Sequence, residues 1–117
     1  MNSEELKNRT KEFALAVLTF VESLPQSKSV DIISKQLSRA ATSVGANYRA
    51  ACKGRSKADF ISKITIVEEE ADETQYWLEL LINLKIGDRQ SVAKLLEEAK
   101  ELTAIFTASG RTAKRNR

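Results

Sequence analysis

Between Ser56 and Ile86 the positions Phe60, Ile64, Val67, Ala71, Thr74, Leu78 and Leu81 recur at alternating steps of three and four, with no proline or glycine among them. That spacing places them on one face of a helix. At about 1.5 Å per residue the helix runs roughly 45 Å, so it needs partners along its whole length. Three further segments carry matching stripes. Leu6, Thr10, Phe13, Val17, Phe20 and Leu24 form the first, widened by Ala14, Leu18 and Val21. Val30, Ile33, Leu37, Ala40, Ala41, Val44, Tyr48 and Ala51 form the second, and Val92, Leu95, Leu96, Ala99, Leu102, Ile105 and Phe106 the last.

Punctuation sets the boundaries. Ser3 reads as an N-cap followed by Glu4 and Glu5, and Pro25 stops the first helix. Gly54 ends the second, Ser56 with Asp59 caps the third, Gly87 ends it, Asp88 caps the fourth and Gly110 ends that. The expected helices span about 3–24, 28–52, 56–86 and 88–109, in one domain of residues 1–110 followed by a basic flexible tail, 111–117. Four amphipathic helices with short loops predict an all-α, antiparallel up-down-up-down four-helix bundle. Gly45 is the exception among the glycines, because it lies in mid-helix at a cost of roughly 1 kcal/mol against alanine. A close helix approach would justify it.

Helix three carries more apolar surface than one core face needs. Ile66, Trp77, Leu80 and Leu84 lie roughly 120° around the helix from the first stripe. A second stripe calls for a second partner, which makes these four residues candidates for an oligomer interface. Asn47, beside the apolar face of helix two, is expected in a buried or interfacial hydrogen-bonding role.

Charge changes the picture further. The formal net charge is +3, yet Arg111, Lys114, Arg115 and Arg117 in the tail leave the rest of the chain close to neutral. On helix two Lys35, Arg39, Arg49 and Lys53 fall on one line, extended by Arg55 and Lys57. On helix three Glu68, Asp72 and Glu79 form a line of opposite sign, with Glu69 near it. Three readings stand: solvated faces, pairing with one another within or between chains, or a basic line facing a polyanion.

Enzyme chemistry finds little to use. The chain has no histidine, hence no Glu-x-x-His pair for a di-iron bundle and no Ser-His-Asp or Cys-His arrangement. P-loop, GxGxxG and CxxC motifs are missing. Cys52 continues the helix-two stripe beside Tyr48 and reads as a structural thiol. A single cysteine suits a reducing compartment. No apolar run is long enough to span a membrane, and the start of the chain is acidic, unlike a signal peptide. The reading is a cytoplasmic non-enzyme without metal or cofactor.

Leu37-Ser38-Arg39-Ala40-Ala41-Thr42-Ser43-Val44-Gly45-Ala46-Asn47-Tyr48-Arg49-Ala50-Ala51, then Gly54-Arg55-Ser56-Lys57-Ala58-Asp59-Phe60-Ile61 and Glu68-Glu69-Glu70-Ala71-Asp72-Glu73-Thr74-Gln75-Tyr76-Trp77-Leu78, resembles the bacterial four-helix-bundle family named for open reading frames in intervening sequences of 23S ribosomal RNA genes. The resemblance covers roughly Phe13 to Leu102. It implies a homopentameric ring and a relationship to the accessory proteins of diversity-generating retroelements, whose basic surface binds RNA and a reverse transcriptase. It implies no enzymatic activity. Many relatives read Ile-Ala-Glu-Gly after the asparagine, where this chain has Tyr48-Arg49-Ala50-Ala51 and so lacks the glutamate. The expected function is a homo-oligomer that binds structured RNA through Lys35, Arg39, Arg49, Lys53, Arg55, Lys57, Arg111, Lys114, Arg115 and Arg117. The rival is an oligomeric scaffold that binds a partner protein and has no nucleic-acid role.

Overall fold

The computed structural model describes residues 1–116, so Arg117 lies outside the described residues. Four helices follow one another: α1 Ser3–Glu22, α2 Lys28–Cys52, α3 Lys57–Leu84 and α4 Arg89–Arg115. The loops 23–27, 53–56 and 85–88 are too short for anything except antiparallel neighbours, and the result is a four-helix rod of 46 × 22 × 19 Å. α3 packs closely against both α2 and α4. α1 rests mainly on α2 and only lightly on α4.

Each start is made by a side-chain acceptor in extended backbone. Asn2 accepts from the Glu5 N–H at 2.8 Å, Ser27 from Val30 at 3.1 Å, Ser56 from Asp59 at 3.0 Å and Asp88 from Ser91 at 3.0 Å. Asn2 therefore replaces Ser3 as the first cap, because Ser3 is already helical. The stops fall slightly earlier than the glycines suggest. Lys85 adopts a left-handed conformation at φ 58° and closes α3 at Leu84, and Gly87 follows at φ 83°. A Cβ at Gly87 would also sit 2.9 Å from both Phe20 and Leu24, so this loop needs glycine for two reasons.

The end of α4 departs from expectation. The helix passes through Gly110 and continues to Arg115 where a flexible tail was expected. Gly110 has no positive φ to stop it; it is buried against α3, and the half-buried Ala113 continues the stripe from Phe106 and Gly110 at steps of four and three. Lys57 at the start of α3 donates to the Asn116 carbonyl at 2.6 Å and satisfies one of the free acceptors at the α4 terminus.

The core runs the length of the rod through Val17, Leu37, Val44, Ile64, Val67, Leu78, Leu81, Leu102 and Phe106, all fully buried. Tyr48 and Phe106 pack with their rings tilted at 48° and their centroids 5.2 Å apart. Burial and the neighbouring Cys52 push the Tyr48 hydroxyl above its ordinary pKa. Cys52 is a free, half-buried thiol packed on this core. The α3 stripe is shifted slightly from the expected one, with Ile61 buried and Phe60 half-buried. Thr10 and Thr74, polar and fully buried, donate to the carbonyls of Leu6 and Glu70 in their own helices. No helix among the described residues is long and apolar enough to cross a membrane.

Candidate nucleic-acid interface

An antiparallel bundle brings the start of α1, the end of α2, the start of α3 and the end of α4 to one end of the rod. Cations arrive there from all four. α1 contributes Lys7 and Lys11, and α2 contributes Arg49 and Lys53. Arg55 and Lys57 come from the loop and the first turn of α3, and Arg111, Lys114 and Arg115 from the last turns of α4. All are exposed except Lys7, which is partly covered. Arg49, Lys114 and Arg115 also lie where the helix dipole favours positive charge. The acids within this end are Glu4, Glu5 and Asp59. Asp59 is occupied: it accepts from Lys63 at 2.7 Å and from the Arg55 N–H at 3.3 Å, and the Lys63 bond holds its carboxyl below the usual range.

Between α1 and α2 the same end opens into a groove of about 520 Å³, floored by Thr10, Ala14, Thr42, Gly45 and Ala46 and walled by Lys7, Lys11, Arg49 and Lys53. Small side chains make the floor. A Cβ on Gly45 would lie 3.1 Å from the Thr10 hydroxyl oxygen, so the two helices touch closely there.

The other two members of the expected α2 line belong elsewhere. Lys35 and Arg39 lie in the first half of α2, roughly 15–20 Å from Arg49 along the helix axis. Lys35 pairs with Asp31 at 3.3 Å. Arg39 forks between Glu70, at 2.8 Å, and Glu73 of α3, and the Glu70 bond raises its pKa. Its charge is met within the chain, so the line splits into an end that is open to a polyanion and a half that is neutralised. The paired acids are also different from the expected line, since Glu70 and Glu73 take Arg39 while Glu68 accepts from Thr107 at 2.8 Å.

The second apolar stripe is divided as well. Ile66 and Leu84 are 41% and 52% exposed. Trp77 and Leu80 are half-buried against the core, and the Trp77 indole N–H donates to Glu73 at 3.0 Å. The open aromatic is Tyr76, 53% exposed and edge-on to Trp77 at 5.0 Å. Leu15, Leu18 and Ile32 are also exposed. Leu18, expected to widen the α1 core face, stays partly open at its edge, lining a groove between α1 and α2. Asn47 is half-buried and satisfied in its own helix, donating to the Ser43 carbonyl at 2.8 Å and the Ser43 hydroxyl at 3.0 Å. Lys7 and Lys11 were missed from the sequence. Their spacing of four matches that of Arg49 and Lys53, but nothing local says that α1 faces α2 there. Among the described residues no three of His, Cys, Asp and Glu converge where they could hold a metal.

The family model of the 23S rRNA-intervening sequence protein matches residues 3–108. The chain belongs to that family. The crystal structure of a protein of unknown function from the S23 ribosomal protein family of Bacteroides thetaiotaomicron is similar at 33% identity, covering 95% of this chain and 99% of that one with a TM-score of 0.86. No curated protein matches. This chain and that protein thus share the four-helix arrangement over essentially their whole lengths.

Proposed function

We propose that this protein is a non-enzymatic, homo-oligomeric cytoplasmic protein that binds structured RNA through the basic end of its bundle. The observation that carries the reading is the convergence of Lys7, Lys11, Arg49, Lys53, Arg55, Lys57, Arg111, Lys114 and Arg115 from four separate stretches onto one end. Phosphate neutralisation by such a cluster is largely independent of sequence and weakens steeply with salt. The family name, which refers to the intervening sequences of 23S rRNA, supports the choice of RNA. Self-association is supported by the exposed Ile66, Tyr76 and Leu84 on α3. A pentameric ring would multiply the basic end and raise avidity.

The test is retention of a labelled structured RNA by the wild type and by the triple variant R49E/K53E/R55E, with native mass measured by light scattering on both. Loss of salt-sensitive binding at unchanged mass supports the reading. Unchanged binding overturns the basic end as the surface. Absence of RNA binding by the wild type moves the function to the rival, a scaffold for a partner protein. One observation favours that rival: Tyr76 is exposed beside the acidic residues Asp72 and Glu79 of α3.

A further inference from the structure

The groove between α1 and α2 has a charge layout that one convex basic end does not require. Its register follows from the contact of Thr10 with Gly45. Counting outwards in opposite directions along the antiparallel helices, Lys7 lies level with Arg49. Lys11 falls about one turn to one side and Lys53 about one turn to the other. The cations therefore occupy three successive levels about 6 Å apart along the groove. The two helices touch at the floor, so the walls are the Lys7, Lys11, Arg49 and Lys53 side chains that line the groove above it.

We infer that this groove is a track for one single strand of nucleic acid, held by its phosphates, with Lys7 and Lys11 of α1 forming the wall opposite Arg49 and Lys53 of α2. The inference rests on the nucleic-acid reading above and adds the form of the ligand and its path between two facing pairs of cations. The spacing of the levels approximates one phosphate step of an extended strand. A groove of about 520 Å³ between two helices in contact is too small to take in a duplex, which can only lie across the mouth. The floor of threonine, alanine and glycine lets the strand settle without displacing a large side chain. No aromatic residue lines the groove, so bases gain no stacking platform, and recognition is by backbone with little preference among bases. One acid stands in the way: Glu4 lies on the rim, exposed to solvent, and pairs with the partly covered Lys7 at 3.2 Å.

Fluorescence polarisation tests the inference, using a short labelled oligouridylate and a blunt duplex of the same length as probes. The full chain is compared with K7Q/K11Q in the groove and R111Q/K114Q/R115Q at the end of α4. The groove variant is expected to reduce the magnitude of the salt slope for the single strand by about 1.4, roughly 0.7 for each phosphate no longer neutralised. Duplex binding should change far less. E4Q is expected to tighten single-strand binding, a gain that a purely structural role for Glu4 would not produce. Equal loss for strand and duplex in K7Q/K11Q overturns the track. So does loss in the α4 variant alone, which leaves the broader RNA reading standing. Binding of neither probe by the wild type removes both. Circular dichroism on each variant separates loss of binding from loss of fold.

Discussion

Gly45 of α2 lies against Thr10 of α1 so closely that a Cβ at position 45 would approach the Thr10 Oγ1 to 3.1 Å. That hydroxyl has no freedom to retreat. It is fully buried and donates to the carbonyls of Leu6 and Lys7 at 2.9 and 3.1 Å. In an open helix Gly45→Ala would gain about 1 kcal/mol. Here the gain is expected to vanish and stability to fall by about 1 kcal/mol as α1 is pushed outwards. In the Thr10→Ala background the same change should stabilise. A chemical-denaturation cycle over the four proteins measures the coupling, and additivity would refute the contact as the reason for glycine.

Gly110 is the opposite case. A Cβ there would meet Ile64 Cγ2 at 3.5 Å, an ordinary contact, and the backbone is helical on both sides. Gly110→Ala is expected to stabilise by about 1 kcal/mol, seen as a rise in Tm of about 4 °C. A fall would mean that α4 ends at Gly110 after all.

Arg9 ties α1 to α4. Its guanidinium holds Glu98 through two bonds, at 2.6 and 2.8 Å, and Glu101 through a third at 3.0 Å. These acids raise the Arg9 pKa, and its side chain is a quarter exposed. α1 otherwise rests only lightly on α4, so the fork matters more than an average surface pair. Arg9→Ala is expected to lose about 1 kcal/mol in low salt and less in 1 M salt, because screening weakens the pair. Urea denaturation of both proteins at the two salt concentrations checks it; a salt-independent difference would assign the loss to packing of the arginine stem.

Acid should weaken the caps of α3 and α4. Bonds from Ser91 hold the Asp88 carboxyl below its ordinary value of 3.8, and Lys63 does the same for Asp59. A carboxyl depressed in the folded state stabilises fully above the unfolded value and loses that contribution as pH falls through the folded one. Stability is therefore expected to drop below about pH 4. Asp88→Asn keeps an acceptor for the Ser91 N–H and removes the titration, so combined with Asp59→Asn it should flatten the profile below pH 4. Thermal melts between pH 2 and pH 6 measure it, and parallel profiles for both proteins would assign the acid loss to other carboxylates.

Much of the bundle was legible because its signals are local. The stripes from Leu6 to Phe20 and from Ile64 to Leu81 repeat at the helical period, and Ser56 and Asp88 cap the helices they precede. The miss at α4 has a physical cause. Whether glycine stops a helix depends on its reaching the left-handed region, and burial against Ile64 keeps Gly110 helical. The candidate site was less legible. Arg49 and Arg39 look alike on one helix face, but Arg39 finds Glu70 and Glu73 across the α2–α3 interface whereas Arg49 opens on the groove beside α1.

The sequence by itself determined four helices, their order, their core faces and the caps of α3 and α4, since hydrophobic period and capping act within a turn or two of chain. Tertiary structure decided which charges are free and which are met. It gathered Lys7, Lys11, Arg49, Lys53 and the end of α4 at one pole, and it withdrew Arg39 from them. The reason is that ion pairing and grooves depend on distance through space, and for residues as far apart in the chain as Lys7 and Arg49 that distance exists only once the helices have packed.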